Sequence, residues 1–461
     1  MLKNALALAI GLSLAAGCTS ASSGTTTAAS GPGLIGESTG RASSTAGASS
    51  SGTTGMSLSS TAGPTGTGTT GMSLSSTGGT TGSTGTGTAS GTTGTSGGWT
   101  EVGSLADPGQ GSTFVSYLLP LPGPSNLPQV VFTENFGGVV GVFETYWDGG
   151  YVTPELIFDG GEGNFYNLQG TSWKQGLANL VVAIDTNFNF VAFEQVDGGT
   201  WTPLATSVSP IPEGGLAPVF DQATGQAWVA GVAGTFTNGS NTNLYRLDDA
   251  GVTVPFPNVG AASIAAAPCT KSDGGSLICV AYITGFNDQQ LWVETFDPVT
   301  LVLGTPGALF DSADAGFDKF ASGCAITEVS PGTVVALAAG LGPGNPQNTQ
   351  QYAWASFDLK DLGTFQAPLL YASDAGSPQG FPALWTWNGD AFLFFRETST
   401  FPEGEVGVSL GGPPVPALPT GAGVTSATAY PAGYADSSNT NWIALPTTAQ
   451  GGKISVFSLS P

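Results

Sequence analysis

From Gly97 onward, apolar and polar side chains alternate in short runs broken by Gly-rich turns. Residues 188–204, FNFVAFEQVDGGTWTPL, show the pattern most clearly: a strand, a tight turn at Asp197-Gly198-Gly199, and a second strand entered through Trp201. Alternation with period two that ends in such a turn predicts a β-hairpin. The pattern returns at residues 139–158 (turn Asp148-Gly149-Gly150), 244–256 (Asp249-Ala250-Gly251), 291–310 (Asp297-Pro298), 352–371 (Asp358 to Gly363) and 406–418 (Gly411-Gly412). The turns recur about every fifty residues, a period that signals propellers or solenoids. The chain between hairpins has room for two more strands. Each unit therefore reads as a four-stranded antiparallel sheet, with strands a to d from the inside outward and c–d the hairpin.

The two ends of this region complement one another. Residues 453–459, KISVFSL, read as a c strand with no d strand after it. Residues 97–105, GGWTEVGSL, read as a d strand with no c strand before it. Joined, they make a seventh sheet, and closing a ring this way removes the exposed edge between first and last blade. Residues 97–461 are thus expected to form an all-β, seven-bladed β-propeller of four-stranded antiparallel blades. The small-residue runs at 263–267, 320–325 and 426–430 suit the crowded inner strands, and Asn388-Gly389 suits an a–b turn.

The preceding residues have a different character. Residues 1–17 carry one positive charge at Lys3 and then an apolar run, too short to remain as a membrane span. The run ends Leu14-Ala15-Ala16-Gly17-Cys18, which resembles the lipobox of bacterial lipoproteins, with Leu14 one place earlier than in the family pattern. The resemblance implies cleavage before Cys18 and a diacylglycerol on its sulfur. Thr19 at the next position implies the outer membrane of the cell envelope. Residues 18–96 are almost wholly Ser, Thr, Gly and Ala, with TTGMSLSST occurring twice. Such a composition buries too little apolar surface to offset chain entropy and predicts a disordered linker. A flexible linker of that length spans roughly 50 Å root-mean-square.

Composition narrows the function. The chain is 40% hydrophobic and only 9% charged, with 71 Gly, which fits an extracytoplasmic all-β protein. It has no His, which removes Ser–His–Asp and Cys–His catalysis and most zinc hydrolases. Arg246 and Arg396 are the only arginines after Gly97, so the arginine triad of sialidase-like propellers cannot form. The net charge of −23 argues against nucleic acid, whose phosphates need Lys and Arg. Cys269 and Cys279 flank KSDGGS, symmetric about residue 274, and read as a cross-strand disulfide on an a–b hairpin in an oxidising compartment, or as two core thiols. Cys324 is left over.

Two loop sets are the candidate sites. The d–a connections repeatedly hold carboxylates, which serve either turn chemistry and solvation or a Ca²⁺ site, the latter at Asp311, Asp314 and Asp318. The b–c connections are rich in amides and carry Phe236 and Asn238, then Phe286, Asn287 and Asp288, then Phe401 and Glu403. They read either as a solvated rim or as a binding rim, where amides and carboxylates beside aromatic platforms suit neutral sugars. The expected function is a monomeric cell-envelope lipoprotein, held to the membrane by its lipid alone. It displays a non-catalytic propeller that binds a neutral glycan or a protein. The alternative is a carboxylate-based glycoside hydrolase.

Overall fold

The computed structural model describes residues 98–105, 117–125, 127–136, 139–159, 165–185, 190–204, 212–233, 241–248, 251–259, 261–284, 289–342, 350–371, 378–397, 404–416, 432–447 and 453–461. The chain divides into two units, Met1–Thr88 and Ala89–Pro461, and every described residue belongs to the second. Residues 1–97, including Cys18, lie outside the description.

The second unit is a ring of seven antiparallel sheets. Strand β1 (Thr100–Leu105) comes first and is used last. Blade 1 follows with β2 (Tyr117–Pro122), β3 (Pro128–Phe136), β4 (Val139–Thr145) and β5 (Glu155–Asp159). Blade 2 holds β6 (Phe165–Trp173), β7 (Ala178–Asp185), β8 (Phe190–Val196) and β9 (Thr202–Pro203). Blade 3 holds β10 (Pro212–Phe220), β11 (Ala227–Ala233), β12 (Asn241–Arg246) and β13 (Thr253–Val259). Blade 4 holds β14 (Ala261–Thr270), β15 (Ser276–Thr284), β16 (Gln290–Asp297), β17 (Val302–Leu303) and β18 (Gly307–Asp311). In blade 5 are β19 (Lys319–Ser330), β20 (Thr333–Leu341), β21 (Gln350–Asp358) and β22 (Leu369–Tyr371), and in blade 6 β23 (Pro378–Trp387), β24 (Asp390–Glu397) and β25 (Gly404–Leu410). Blade 7 is made of β26 (Gly433–Ala435), β27 (Asn441–Thr447), β28 (Lys453–Leu459) and β1. Each inner strand packs on the next, and β26 packs on β2, which closes the ring.

Closure follows the expected route: β1 pairs antiparallel with β28, from Thr100 opposite Ser458 to Leu105 opposite Ile454. Trp99 and Leu105 are buried. Among the described residues, seven apolar clusters make up the core, one at each junction between neighbouring blades. Leu180 and Val182 of β7 face blade 3, while Val181 and Ala183 face blade 1. A strand covered on both sides needs apolar residues without alternation, which is why the b strands read as continuous runs. The outer strands β5, β9 and β22 are largely exposed.

Some local features differ from expectation. The outer strand of blade 4 is split, with β17 pairing Phe296 and Asp297 while β18 pairs Gln290 to Val293 of the same strand. Blade 6 shows three strands among the described residues. The inner strand of blade 7 is β26 at Gly433–Ala435, and the run 426–430 expected there lies outside the described residues. Asn388 and Gly389 form the β23–β24 turn, with φ of 52° and 80°. At the start of five inner strands the pairing register slips: Phe165/Asn167, Pro212/Leu216, Ala261/Ser263, Phe320/Cys324 and Gln379/Ala383. Bulges bend a strand and raise its twist, so these five inner strands turn near their first residues.

A candidate ligand cleft between blades 2 and 3

A cleft of about 470 Å³ opens between the outer half of blade 2 and the turns of blade 3. Blade 2 supplies Glu194 of β8 with Pro203 and Leu204. Blade 3 supplies Thr224, Gly225, Gln226 and Ala227 from its β10–β11 turn, and Leu247 with Asp248 after β12. The turn is held by its own side-chain hydrogen bonds. Asp221 accepts hydrogen bonds from the amides of Ala223 (3.1 Å) and Thr224 (3.3 Å) and from the Thr224 hydroxyl. Gly225 adopts φ +74°, and the ring of Trp173 from blade 2 lies where a Cβ would sit, 2.7 Å away.

The charges in the cleft are unequally matched. Arg246 Nε lies 2.7 Å from Asp248 Oδ2, so that carboxylate has a cationic neighbour. The Glu194 carboxylate has no side-chain partner among the described residues, and burial pushes its pKa above the ordinary carboxylate range. An acceptor of this kind, in an open cleft whose accessible lining is more polar than apolar, suits a ligand that brings a hydrogen-bond donor.

The neighbouring junction shows the same carboxylate satisfied. Phe143-Glu144 of β4 and Phe193-Glu194 of β8 occupy corresponding places, with Glu144 on the face of Val142 toward blade 2 and Glu194 on the face of Ala192 toward blade 3. Trp201 of blade 2 donates its indole N–H to Glu144 Oε2 at 2.6 Å. Trp201 lies two residues before Pro203, which pairs with Phe193. In blade 3, Tyr245 pairs with Thr253, and two residues before Thr253 is Gly251. No ring therefore reaches across from blade 3 at that position, and the cleft stands open beside Glu194.

Most residues singled out from the sequence fall elsewhere. Phe236, Asn238, Phe286, Asn287, Asp288, Phe401 and Glu403 lie outside the described residues, as does Cys18. Asp311, Asp314 and Asp318 belong to the turn between β18 and β19. The Asp311 amide donates to Asp314 Oδ2 (3.1 Å), and the Asp314 amide donates to Asp311 Oδ1 (2.7 Å), so these two carboxylates serve the turn's own backbone. Among the described residues no group of three or more His, Cys, Asp or Glu side chains is placed to hold a metal ion. Cys269 and Cys279 are bonded, with Cα atoms 5.8 Å apart. They are not directly opposite: Cys269 pairs with Leu277 and Ala267 with Cys279, so the hairpin centres on residue 273 and the disulfide crosses it diagonally. Cys324 is buried beside Ser263, and desolvation pushes its thiol up to about 12. The cleft residues Glu194, Gln226, Leu247 and Asp248 were not singled out from the sequence. The available signal was the Phe-Glu pair repeated in two successive units, with Trp201 present after one and a glycine in its place after the next.

No family model and no curated protein matches the sequence. Solved structures do resemble the fold. A lectin of Aleuria aurantia, described as a six-bladed β-propeller with a novel fucose recognition mode, is 14% identical; the alignment covers 64% of this chain and 95% of the lectin, with a TM-score of 0.40. AofleA of Arthrobotrys oligospora is 11% identical over 68% of this chain and 86% of its own, with a TM-score of 0.43. An endo-arabinase of Bacteroides thetaiotaomicron is 12% identical over 54% and 95%, with a TM-score of 0.37. Likeness at this level assigns no family, and the seven-bladed architecture rests on the strand pairing described above.

Proposed function

We propose that the chain is a cell-envelope lipoprotein that displays a ligand-binding propeller. Residues 1–17 direct export, Cys18 carries the lipid, residues 18–96 form the linker, and the propeller holds a neutral glycan or a protein segment in the blade 2–3 cleft. The N-terminal part of this reading rests on the Leu-Ala-Ala-Gly-Cys motif and the Ser/Thr/Gly composition. The binding part rests on one observation: Glu194 lines an open cleft without a side-chain partner among the described residues, while its counterpart Glu144 is hydrogen-bonded to Trp201. A second reading, a carboxylate-based glycoside hydrolase, is favoured by the presence of both Glu194 and Asp248 in the cleft lining. Burial shifts Glu194 upward from the ordinary carboxylate value.

The test is retention of neutral oligosaccharides and short peptides by the full-length protein and by Gln226→Trp, which places a ring in the cleft. Binding lost in the variant supports the cleft as the site, and equal binding by both proteins refutes it. Release of a shortened sugar that Glu194→Gln abolishes establishes the hydrolase instead. Cys18→Ser is expected to shift the protein from the membrane to the soluble fraction; membrane retention of that variant refutes the anchor.

A further inference from the structure

The two corresponding carboxylates show what the cleft is shaped to hold. At the blade 1–2 junction, Glu144 is 9% exposed and receives the Trp201 indole N–H at 2.6 Å. The body of that ring packs against the apolar cluster of the junction, to which Val142 and Val181 belong. At the blade 2–3 junction the acceptor is retained as Glu194, on the corresponding strand and the corresponding face. The ring is not retained. Gly251 stands in place of the tryptophan, with φ +58° and its amide turned back onto Asp248 (3.1 Å to the carbonyl, 3.3 Å to Oδ1). The apolar surface that remains accessible is that of Pro203 and Leu204, since Ala227 and Leu247 are buried, and the rest of the accessible lining is mostly polar. The cleft volume of about 470 Å³ lies within the usual range for a small-molecule site.

We propose that the cleft takes a planar, indole-sized ring bearing an N–H, either free or on a tryptophan side chain, with that N–H donated to Glu194. The inference rests on the reading of the cleft as a binding site and names its ligand class. The ring lies against Pro203 and Leu204, and the N–H supplies the donor that Trp201 supplies to Glu144. A hydrogen bond to a carboxylate is stronger than one between neutral groups. A ring with the same shape but no N–H therefore loses a defined part of the affinity.

The experiment titrates the full-length protein with indole, with 1-methylindole, and with an end-blocked Gly-Trp-Gly peptide, followed by calorimetry. Indole is expected to bind about tenfold or more tightly than 1-methylindole, the loss that corresponds to one charge-assisted hydrogen bond. Glu194→Ala is expected to bind the two equally, and Gln226→Trp to bind neither. Peptide binding as tight as indole assigns the ring to a tryptophan side chain; binding of indole alone assigns it to the free compound. Equal binding of indole and 1-methylindole by the natural protein overturns the inference. Retention of an oligosaccharide that Gln226→Trp abolishes, with no indole binding, overturns the ligand class and leaves the cleft as a site. Should the cleft variants fold poorly, Trp201→Gly provides an independent check. It opens the corresponding space at Glu144, and indole is expected to raise its melting temperature where 1-methylindole does not. The same rise with both compounds contradicts the role assigned to the carboxylate.

Discussion

The indole N–H of Trp173, at the end of the inner strand of blade 2, donates 3.1 Å to the carbonyl of Gln222 in the first turn of blade 3. Gly225 lies under the same ring. The device recurs between blades 6 and 7, where Trp387 donates 2.7 Å to the carbonyl of Asn439. Between blades 4 and 5 a carboxylate takes its place: Glu328 accepts from the Thr270 amide at 2.7 Å and hydroxyl at 2.9 Å. These contacts tie the end of one inner strand to the next blade and so fix the angle between sheets. Gly225→Ala combines a positive φ with a collision against Trp173 and is expected to cost roughly 1–3 kcal/mol. Trp173→Phe, which removes the donor and keeps a ring, is expected to cost about 1 kcal/mol. Urea unfolding of the two variants checks both values.

Glu294 imposes a pH dependence. It is fully buried on the face of β16 toward blade 3, and the Tyr282 hydroxyl meets its Oε2 at 3.3 Å. Its Oε1 has no partner among the described residues. Tyr282 is the described side chain that meets it, and Arg246, on the same face of blade 3 as Trp228, is paired with Asp248. Burial raises the Glu294 carboxyl to about 7. Its unfolded value is the lower one, so between about pH 4.5 and 7 the folded state binds more protons, and stability falls as pH rises. The contribution is fully present below that window and lost above it, and amounts at most to about 3 kcal/mol. Glu294→Gln is expected to remove this slope and to raise stability at pH 8, measured by denaturant unfolding across pH. An unchanged slope contradicts the assignment.

Ring closure depends on a strand distant in sequence. Ser455 Oγ donates 2.9 Å to Glu101 Oε1, and Trp99 Nε1 donates 3.1 Å to the Pro416 carbonyl, so β1 is held by side chains as well as by its ladder. A chain beginning at residue 106 exposes the edge of β28 and the cluster around Ile443 and Phe457. It is expected to lose cooperative unfolding and to associate, and a peptide of residues 97–105 added in trans is expected to restore the monomer. Sedimentation with and without the peptide checks this.

The Asp311–Asp314 turn yields a prediction about calcium. Each carboxylate already accepts the other residue's amide. Millimolar calcium is therefore expected to leave the melting temperature unchanged, and Asp314→Ala to cost about 1 kcal/mol as a lost side-chain cap. A calcium-dependent rise that Asp314→Ala removes contradicts this account.

The architecture was legible in the sequence because a hairpin declares itself locally. Alternation and a Gly-rich turn sit within a dozen residues, as at β8 and β9, and the repeat of that signal carries the ring. Closure was legible because β28 and β1 each lack a partner of a known kind. The cleft was not legible, because its walls come from positions far apart in sequence, such as Leu204 and Leu247. Their meeting depends on the angle between blades, which no local pattern states. The Cys269–Cys279 register was read one residue away, since a turn of Gly-rich composition does not fix its own centre. The exchange of Trp201 for Gly251 is visible in the sequence only once Phe193 and Tyr245 are known to hold corresponding places in their sheets.

The most direct measurement is a crystal structure of the full-length protein grown with indole. A ring is expected between blades 2 and 3, against Pro203 and Leu204, with its nitrogen within hydrogen-bond distance of the Glu194 carboxylate. An empty cleft at saturating indole, or a ring whose nitrogen points away from Glu194, contradicts it.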